Sequence, residues 1–155
     1  MADKDDEAKV VVASREIEAD AGTIFELIAD PSRQPAWDGN DNLKEAPPNQ
    51  RVRALGDVFT MRLKRGGIRD NLVVEFEEGR RISWRPSVQG KPQPGHRWAW
   101  ELEPLGPGRT LVTHTYDWSE LKDRSRFPRA QATTPDRLRA SLDRLAVLAE
   151  GSKES

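Results

Sequence analysis

The sequence contains no cysteine. That excludes a disulfide framework and a zinc–thiolate centre, and it suits a reducing compartment; a cytoplasmic location is expected. Long apolar runs are also missing. The stretch from Leu145 to Ala149 is among the longest, far short of the roughly 20 residues a spanning helix requires. Stable membrane insertion is therefore not expected. The opening residues, MADKDDEA, are acidic and carry no apolar segment, so no signal peptide is expected. Charge of one sign is lacking too: 25 basic residues against 26 acidic ones leave a formal charge of -1. A nucleic-acid partner is not expected from that balance. With two histidines and no cysteine, no metal site is predicted. No glycine-rich loop precedes a helix, as a bound phosphate would require, and there is no GxSxG for a nucleophilic serine. No cofactor is expected.

Aromatic residues are few, but five of the ten are tryptophan, in a chain only 35% hydrophobic. The 155 residues suit one domain, able to bury roughly 70% of the surface of its unfolded chain. Residues 1–8 and 151–155 hold too little apolar content to order and are expected to be tails. The domain proper is expected over 9–150.

Val10 to Ile17 predicts a first strand, and Thr23 to Ala29 a short helix with Ile24, Leu27 and Ile28 on one face. Asp30–Pro31 fits a cap and first turn of a second short helix towards Trp37. A run of strands follows. Asp57 to Lys64 places Phe59, Met61 and Leu63 on one face. Asn71 to Glu77 places Leu72, Val74 and Phe76 together, and in Arg81 to Arg85 Ile82 and Trp84 share a face. His96 to Glu103 and Thr110 to Trp118 flank the turn PLGPG. From Thr134 the period changes. Thr134 caps, Pro135 suits the first helical position, and Leu138, Leu142, Leu145 and Ala149 recur at helical spacing up to a stop at Gly151. The predicted class is α+β: a curved antiparallel sheet of about six or seven strands, two short helices after strand 1, and one long C-terminal helix. A curved sheet wrapped on one helix leaves space for a pocket.

The aromatic strand pair points into that space. A hairpin centred on residue 107 sets Trp100 opposite His114 and Trp98 opposite Tyr116, with Trp84 from the next strand. The rings serve equally as a wall that stacks on a flat or greasy ligand, or as filling for the core. The inward faces give the candidate ligand-contacting set: Phe59, Met61, Phe76, Trp84, Trp98, Trp100, His114, Tyr116, Trp118, Leu138 and Leu142. His114 and Tyr116 are the candidates for proton transfer. Trp37-Asp38-Gly39-Asn40-Asp41-Asn42 reads as a turn built on Asx side chains or as a polar rim at a pocket mouth, and Asp70–Asn71 as turn chemistry. Arg80, Arg81 and Arg85, interleaved with Glu75, Glu77 and Glu78, read as a solvated face. The Gly/Pro-rich loop 87–95 and the linker 119–133 are expected to flank an entrance, with Trp98 and Trp118 near it and Trp100 deeper.

Four segments resemble the START-like (helix-grip, SRPBCC) superfamily, in particular its bacterial polyketide cyclase/dehydrase and lipid-transport group. They are IEADAGTIFELIADPSRQPAWD, LGDVF, HRWAWELEPLGPGRTLVTHTYDW and TTPDRLRASLDRLAVLAE, spread over nearly all of residues 9–150. The resemblance implies a helix-grip fold. It implies binding or carriage of a small hydrophobic molecule, polyketide-like or lipid-like. A polyketide aromatase/cyclase or dehydratase and a protein-interaction or chaperone-regulator module are the alternatives. No catalytic motif of the superfamily maps onto these residues. Ligand identity, catalysis and oligomeric state stay open at this point.

Overall fold

The computed structural model describes residues 9–151; the tails expected at 1–8 and beyond Gly151 lie outside the described residues. Seven antiparallel strands form one sheet: β1 (Val10–Ile17), β2 (Leu43–Glu45), β3 (Val58–Leu63), β4 (Ile68–Glu77), β5 (Arg81–Val88), β6 (Arg97–Gly106) and β7 (Arg109–Asp117). Their spatial order is β1-β7-β6-β5-β4-β3-β2. Between β1 and β2 lie α1 (Ala21–Ala29), a 3-10 turn (Pro31–Arg33) and α2 (Gln34–Trp37). After β7 come a second 3-10 turn (Arg124–Arg126), α3 (Phe127–Gln131) and α4 (Pro135–Gly151).

The local chemistry behind these elements is direct. Asp30 ends α1, its N–H donating to the Glu26 carbonyl, and its carboxylate accepts from the Ser32 N–H and hydroxyl as the next turn starts at Pro31. Gly106 and Gly108 both take positive φ, 152° and 69°, which lets β6 fold back into β7 across Pro107. The register is the expected one: Trp100 faces His114 and Trp98 faces Tyr116.

Helix α4 buries Leu138, Leu142, Leu145 and Ala149. It packs along β1 and β7 and against α1 and α2, not over the centre of the sheet. Polar contacts fix that position. Arg15 on β1 pairs with Asp143 at 2.6 Å, and the Glu150 carboxylate accepts from the Glu18 N–H at 3.0 Å. On its other side α4 holds the 38–41 loop. Gly39 N–H donates to Ser141 Oγ at 2.7 Å, and Arg144 donates to the Asp38 carbonyl at 2.6 Å and pairs with Asp41 at 2.7 Å. The helix is thus pinned between one edge of the sheet and this loop, and the inner faces of the central strands are left to other neighbours.

Several expectations need correction. The face of β4 is inverted over its first half: Asn71 and Val73 are buried, while Leu72 and Val74 are half-buried on the outer side. A bulge between Val73 and Glu75 then resets the phase, so Phe76 turns in and meets Phe25 edge-on at 5.8 Å. A simple two-residue repeat cannot register such an extra residue. Asp70–Asn71 is accordingly not a turn but mid-strand, with Asn71 Nδ2 donating to the Phe59 carbonyl at 3.3 Å. Strand β2 carries too short a pattern to be legible. The segment read as a linker contains the second 3-10 turn and α3. Gly151 stays inside α4 instead of stopping it.

Gly39 is where the loop and α4 come closest. A Cβ there would collide with the Arg137 carbonyl oxygen and lie 2.8 Å from the Ser141 backbone nitrogen, atoms that cannot move aside without shifting the helix. Overpacking of this kind costs about 1–3 kcal/mol. Gly39→Ala should therefore lower the unfolding free energy by about 2 kcal/mol, with a lower urea midpoint. Gly22→Ala on α1, whose Cβ would meet nothing within 4 Å, should stay within about 1 kcal/mol of the parent. Equal midpoints for the two variants would show that the loop is not seated as described.

Candidate functional site

The strip of sheet that α4 leaves uncovered forms the inner wall of a cavity of about 770 Å³. Its floor is the aromatic ladder of β5, β6 and β7. Trp100 stacks on His114 with ring centroids 3.6 Å apart and planes 13° apart. Trp98 stacks on the same imidazole at 5.6 Å and leans on Tyr116 at 4.3 Å. Trp84 stands opposite Trp98 on β5. From the helical side Trp37 meets Trp100 edge-on at 5.1 Å, its Nε1–H held by the Leu27 carbonyl at 2.8 Å. Alternation on paired strands puts these rings on one face, and the hairpin register brings them into contact.

The polar groups on this wall have definite states. His114 Nδ1 lies 3.0 Å from the Ala99 carbonyl oxygen. That oxygen only accepts, so Nδ1 carries the proton and Nε2 keeps its lone pair. Burial pulls the His114 pKa down to about 4, against a small opposing effect of the Ala99 bond, and the ring is neutral at pH 7. His96, half-buried beside Tyr116, is likewise pulled to about 4 by burial and by Arg126, Arg69 and Arg85. Burial pushes the Tyr116 phenol up to about 12. Asp38, 7% exposed, has its pKa raised, chiefly by burial; Oδ1 accepts from the Asn40 N–H and side-chain amide, while Oδ2 is buried with no partner. Trp100 Nε1–H is also buried and unpartnered. Buried polar atoms without partners are rare in folded proteins, and both of these residues line the cavity. The wall therefore holds two buried polar atoms without partners, Asp38 Oδ2 and Trp100 Nε1, and an imidazole lone pair.

Of the residues singled out from sequence, Met61, Trp84, Trp98, Trp100, His114 and Tyr116 line this cavity. The other five lie elsewhere. Phe59 packs edge-on to Trp84 at 5.3 Å, and Phe76 sits against Phe25. Leu138 and Leu142 are in the core under α4. Trp118, expected near the entrance, is buried edge-on to Phe127 at 5.2 Å, with the Lys9 ammonium 5.6 Å from its ring centroid. The loop and the 119–133 segment do flank the cavity, but they are tied together. Arg85 pairs with Glu120 at 2.6 Å and donates to the Gly95 carbonyl, while Gly95 abuts the Glu120 backbone.

Sequence reasoning missed Gln34, Asn71 and Arg69, all of which line the cavity; from the 119–133 segment, expected at the entrance, Arg126 and Arg129 line it as well. Asn71 and Arg69 were hidden by the inverted phase of β4. Asp38 belonged to the Asx-rich hexapeptide, which supplies both the turn and the rim.

A curved antiparallel sheet gripping a C-terminal helix around an internal cavity defines a START-like, helix-grip protein. The family described as polyketide cyclase / dehydrase and lipid transport matches residues 8–150, and the chain belongs to it. Among curated proteins, the uncharacterized protein Rv0088 of Mycobacterium tuberculosis is 29% identical over 111 residues, covering 70% of this chain and 47% of that protein. The chain spans about half the length of the curated relatives it matches. Among solved structures, a START superfamily protein from Mycobacterium smegmatis superposes with a TM-score of 0.67 at 19% identity, covering 92% of this chain and 97% of that one. DynU16, from the dynemicin biosynthetic locus, does so with a TM-score of 0.60 at 22% identity, covering 92% of this chain and 47% of that one. These structural likenesses establish the fold. Among the described residues no helix is long and apolar enough to cross a membrane.

The state of His114 has a measurable consequence. Its folded pKa lies below its unfolded one, so between about pH 6.5 and pH 4 the unfolded chain binds a proton that the folded one refuses. Stability is fully present above that window and is lost as pH falls through it; from pH 6.5 to 5 the loss is about 2 kcal/mol for this one group. His96 acts in the same direction and Asp38, with its raised pKa, in the opposite one. His114→Gln should flatten the dependence by about 2 kcal/mol over that range in urea titrations at stepped pH. Parallel curves for variant and parent would mean that His114 is not buried neutral.

Proposed function

We propose that this domain binds or carries a small hydrophobic or aromatic molecule, polyketide-like or lipid-like, within the cavity. The observation that carries the reading is the aromatic wall of Trp84, Trp98 and Trp100 against about 770 Å³ of space. Ligand sites typically measure about 300–1,000 Å³, with apolar walls and a few convergent polar groups. Flat rings in offset stacks accept a further flat or aliphatic body without rearrangement. The Tyr116 phenol and the carboxyl of Asp38, both in the lining, are the polar groups next to this wall. Membership of the family supports the same class of ligand.

A second reading, a polyketide aromatase/cyclase or dehydratase, is favoured by one specific observation. Asp38, with its carboxyl held protonated to higher pH, and His114, with a free Nε2, line the same cavity. A carboxyl group of raised pKa and a neutral imidazole are the pair of groups that enolisation and loss of water would use as acid and base. The protein-interaction reading has less support, because it leaves the cavity and its unpartnered polar atoms unused.

Two measurements separate these readings. N-Phenyl-1-naphthylamine, a neutral apolar fluorophore, should bind with enhanced emission and quench the tryptophans. Trp98→Ala should weaken that binding about tenfold, the equivalent of about 1.4 kcal/mol, whereas Trp118→Ala should leave it within threefold, since Trp118 lies outside the cavity lining. No binding to the parent protein would refute the proposal. For the catalytic reading, a poly-β-keto thioester should lose water in the presence of the parent and not of Asp38→Asn, by mass spectrometry. Equal conversion by both proteins would remove Asp38 as the acid.

A further inference from the structure

The mouth of the cavity carries more positive charge than an apolar ligand would call for. Six cationic side chains line it against three carboxylates, Asp38, Asp41 and Asp123. Asp41 is taken up by Arg144 on α4. Asp123 caps the second 3-10 turn through Ser125 and reaches Arg126 only at 3.5 Å. Asp38 is buried below the rim. Some arginines of the chain are paired closely: Arg15, Arg51, Arg85, Arg97 and Arg144 have carboxylates at hydrogen-bonding distance. Of the arginines that line the cavity, Arg65, Arg69, Arg129 and Arg137 form no such pair among the described residues.

These groups converge from opposite sides of the opening. Arg69 stands on β4 opposite Met61 and Val88, in the inward register of the sheet, and is half-buried. Arg126 and Arg129 come from the second 3-10 turn and α3 across the mouth, and Arg65 from the β3–β4 turn. They are close enough to disfavour one another's charge. Arg69 is held below the usual guanidinium range by burial and by Arg126, Arg129 and Arg65, and Arg129 by burial, Arg65 and Arg126. The Tyr116 phenol feels both Arg129 and Arg126 while its ring leans on Trp98. The basic rim is thus continuous with the aromatic floor.

We propose that the ligand is an amphiphile with an anionic head, a carboxylate or a phosphate, held by Arg69, Arg126 and Arg129 while its apolar body lies on Trp98. This rests on the reading that the cavity takes an apolar molecule. An oxyanion placed between guanidinium groups replaces their mutual repulsion by charge-assisted, bidentate hydrogen bonds. It also bridges β4 to α3, so binding fastens the segment that closes the mouth.

The test uses displacement of N-phenyl-1-naphthylamine at low salt and pH 7.5 by dodecanol, dodecanoic acid and dodecyl phosphate, each below its micelle concentration. At least one anion should displace the probe at about tenfold lower concentration than the alcohol of the same chain length. That advantage should shrink at least about threefold in Arg69→Gln and in Arg129→Gln. A stronger effect of dodecyl phosphate assigns the head to a phosphate, and a stronger effect of dodecanoate to a free acid. Anions no better than dodecanol, or an advantage undiminished in both variants, would overturn the proposal while leaving the apolar cavity intact. A probe that does not bind the parent protein would instead defeat the underlying reading, and this inference with it.

Discussion

The register of the β6–β7 hairpin is the constraint on which the site depends. Two glycines at positive φ around Pro107 fix which residues face each other. One step of slippage would turn Trp98, Trp100, His114 and Tyr116 to the opposite face. With the register set, His114 lies beneath two indoles with its Nδ1 proton committed to the Ala99 carbonyl. Burial keeps the imidazole neutral at pH 7, and the neutral ring leaves a lone pair on the aromatic part of the wall. Packing, tautomer and chemical capacity of the wall follow from one turn.

The second constraint is where α4 lies. A helix centred over the sheet would have filled the space above Trp98 and Trp100. Arg15, the Glu18 N–H, Gly39 and Arg144 instead hold α4 between β1 and the 38–41 loop. The same loop delivers Asp38 to the cavity, so the contact that positions the helix also positions the buried carboxyl. Gly39 is required because no side chain fits between the loop and the helix backbone. The arginine rim then closes the design on the side that α4 leaves open.

Much of the fold was legible in the sequence because its signals are local. β1 matched its expected span, Pro135 and the leucine spacing placed α4, and Pro107 with its flanking glycines set the hairpin pairing. The site was legible only in part. Six of the eleven singled-out residues line the cavity, and the reasons for the rest are physical. Leu138 and Leu142 share the inward side of α4, but that side faces β1 and the core. Trp118 follows the same alternation as Tyr116 yet sits at the end of the strand, where Phe127 of α3 covers it. On β4 the apolar residues Leu72 and Val74 mark the outer face, and the inner face carries Arg69 and Asn71. Polar residues on an inward face read as solvent-facing when the pattern alone is followed. They are inward here because the cavity, not a packed core, is what they meet.

The central claim is that the aromatic wall borders space a ligand can enter and is not filled core. The five indole N–H signals report on it individually by two-dimensional NMR. On titration with naphthalene, a neutral flat hydrocarbon, the Nε1–H signals of Trp84, Trp98 and Trp100 should shift in a saturable manner. Trp118, packed against Phe127 outside the cavity, should stay in place. Unmoved signals from Trp84, Trp98 and Trp100 at saturating naphthalene, or a shift of Trp118 as large as theirs, would contradict the account.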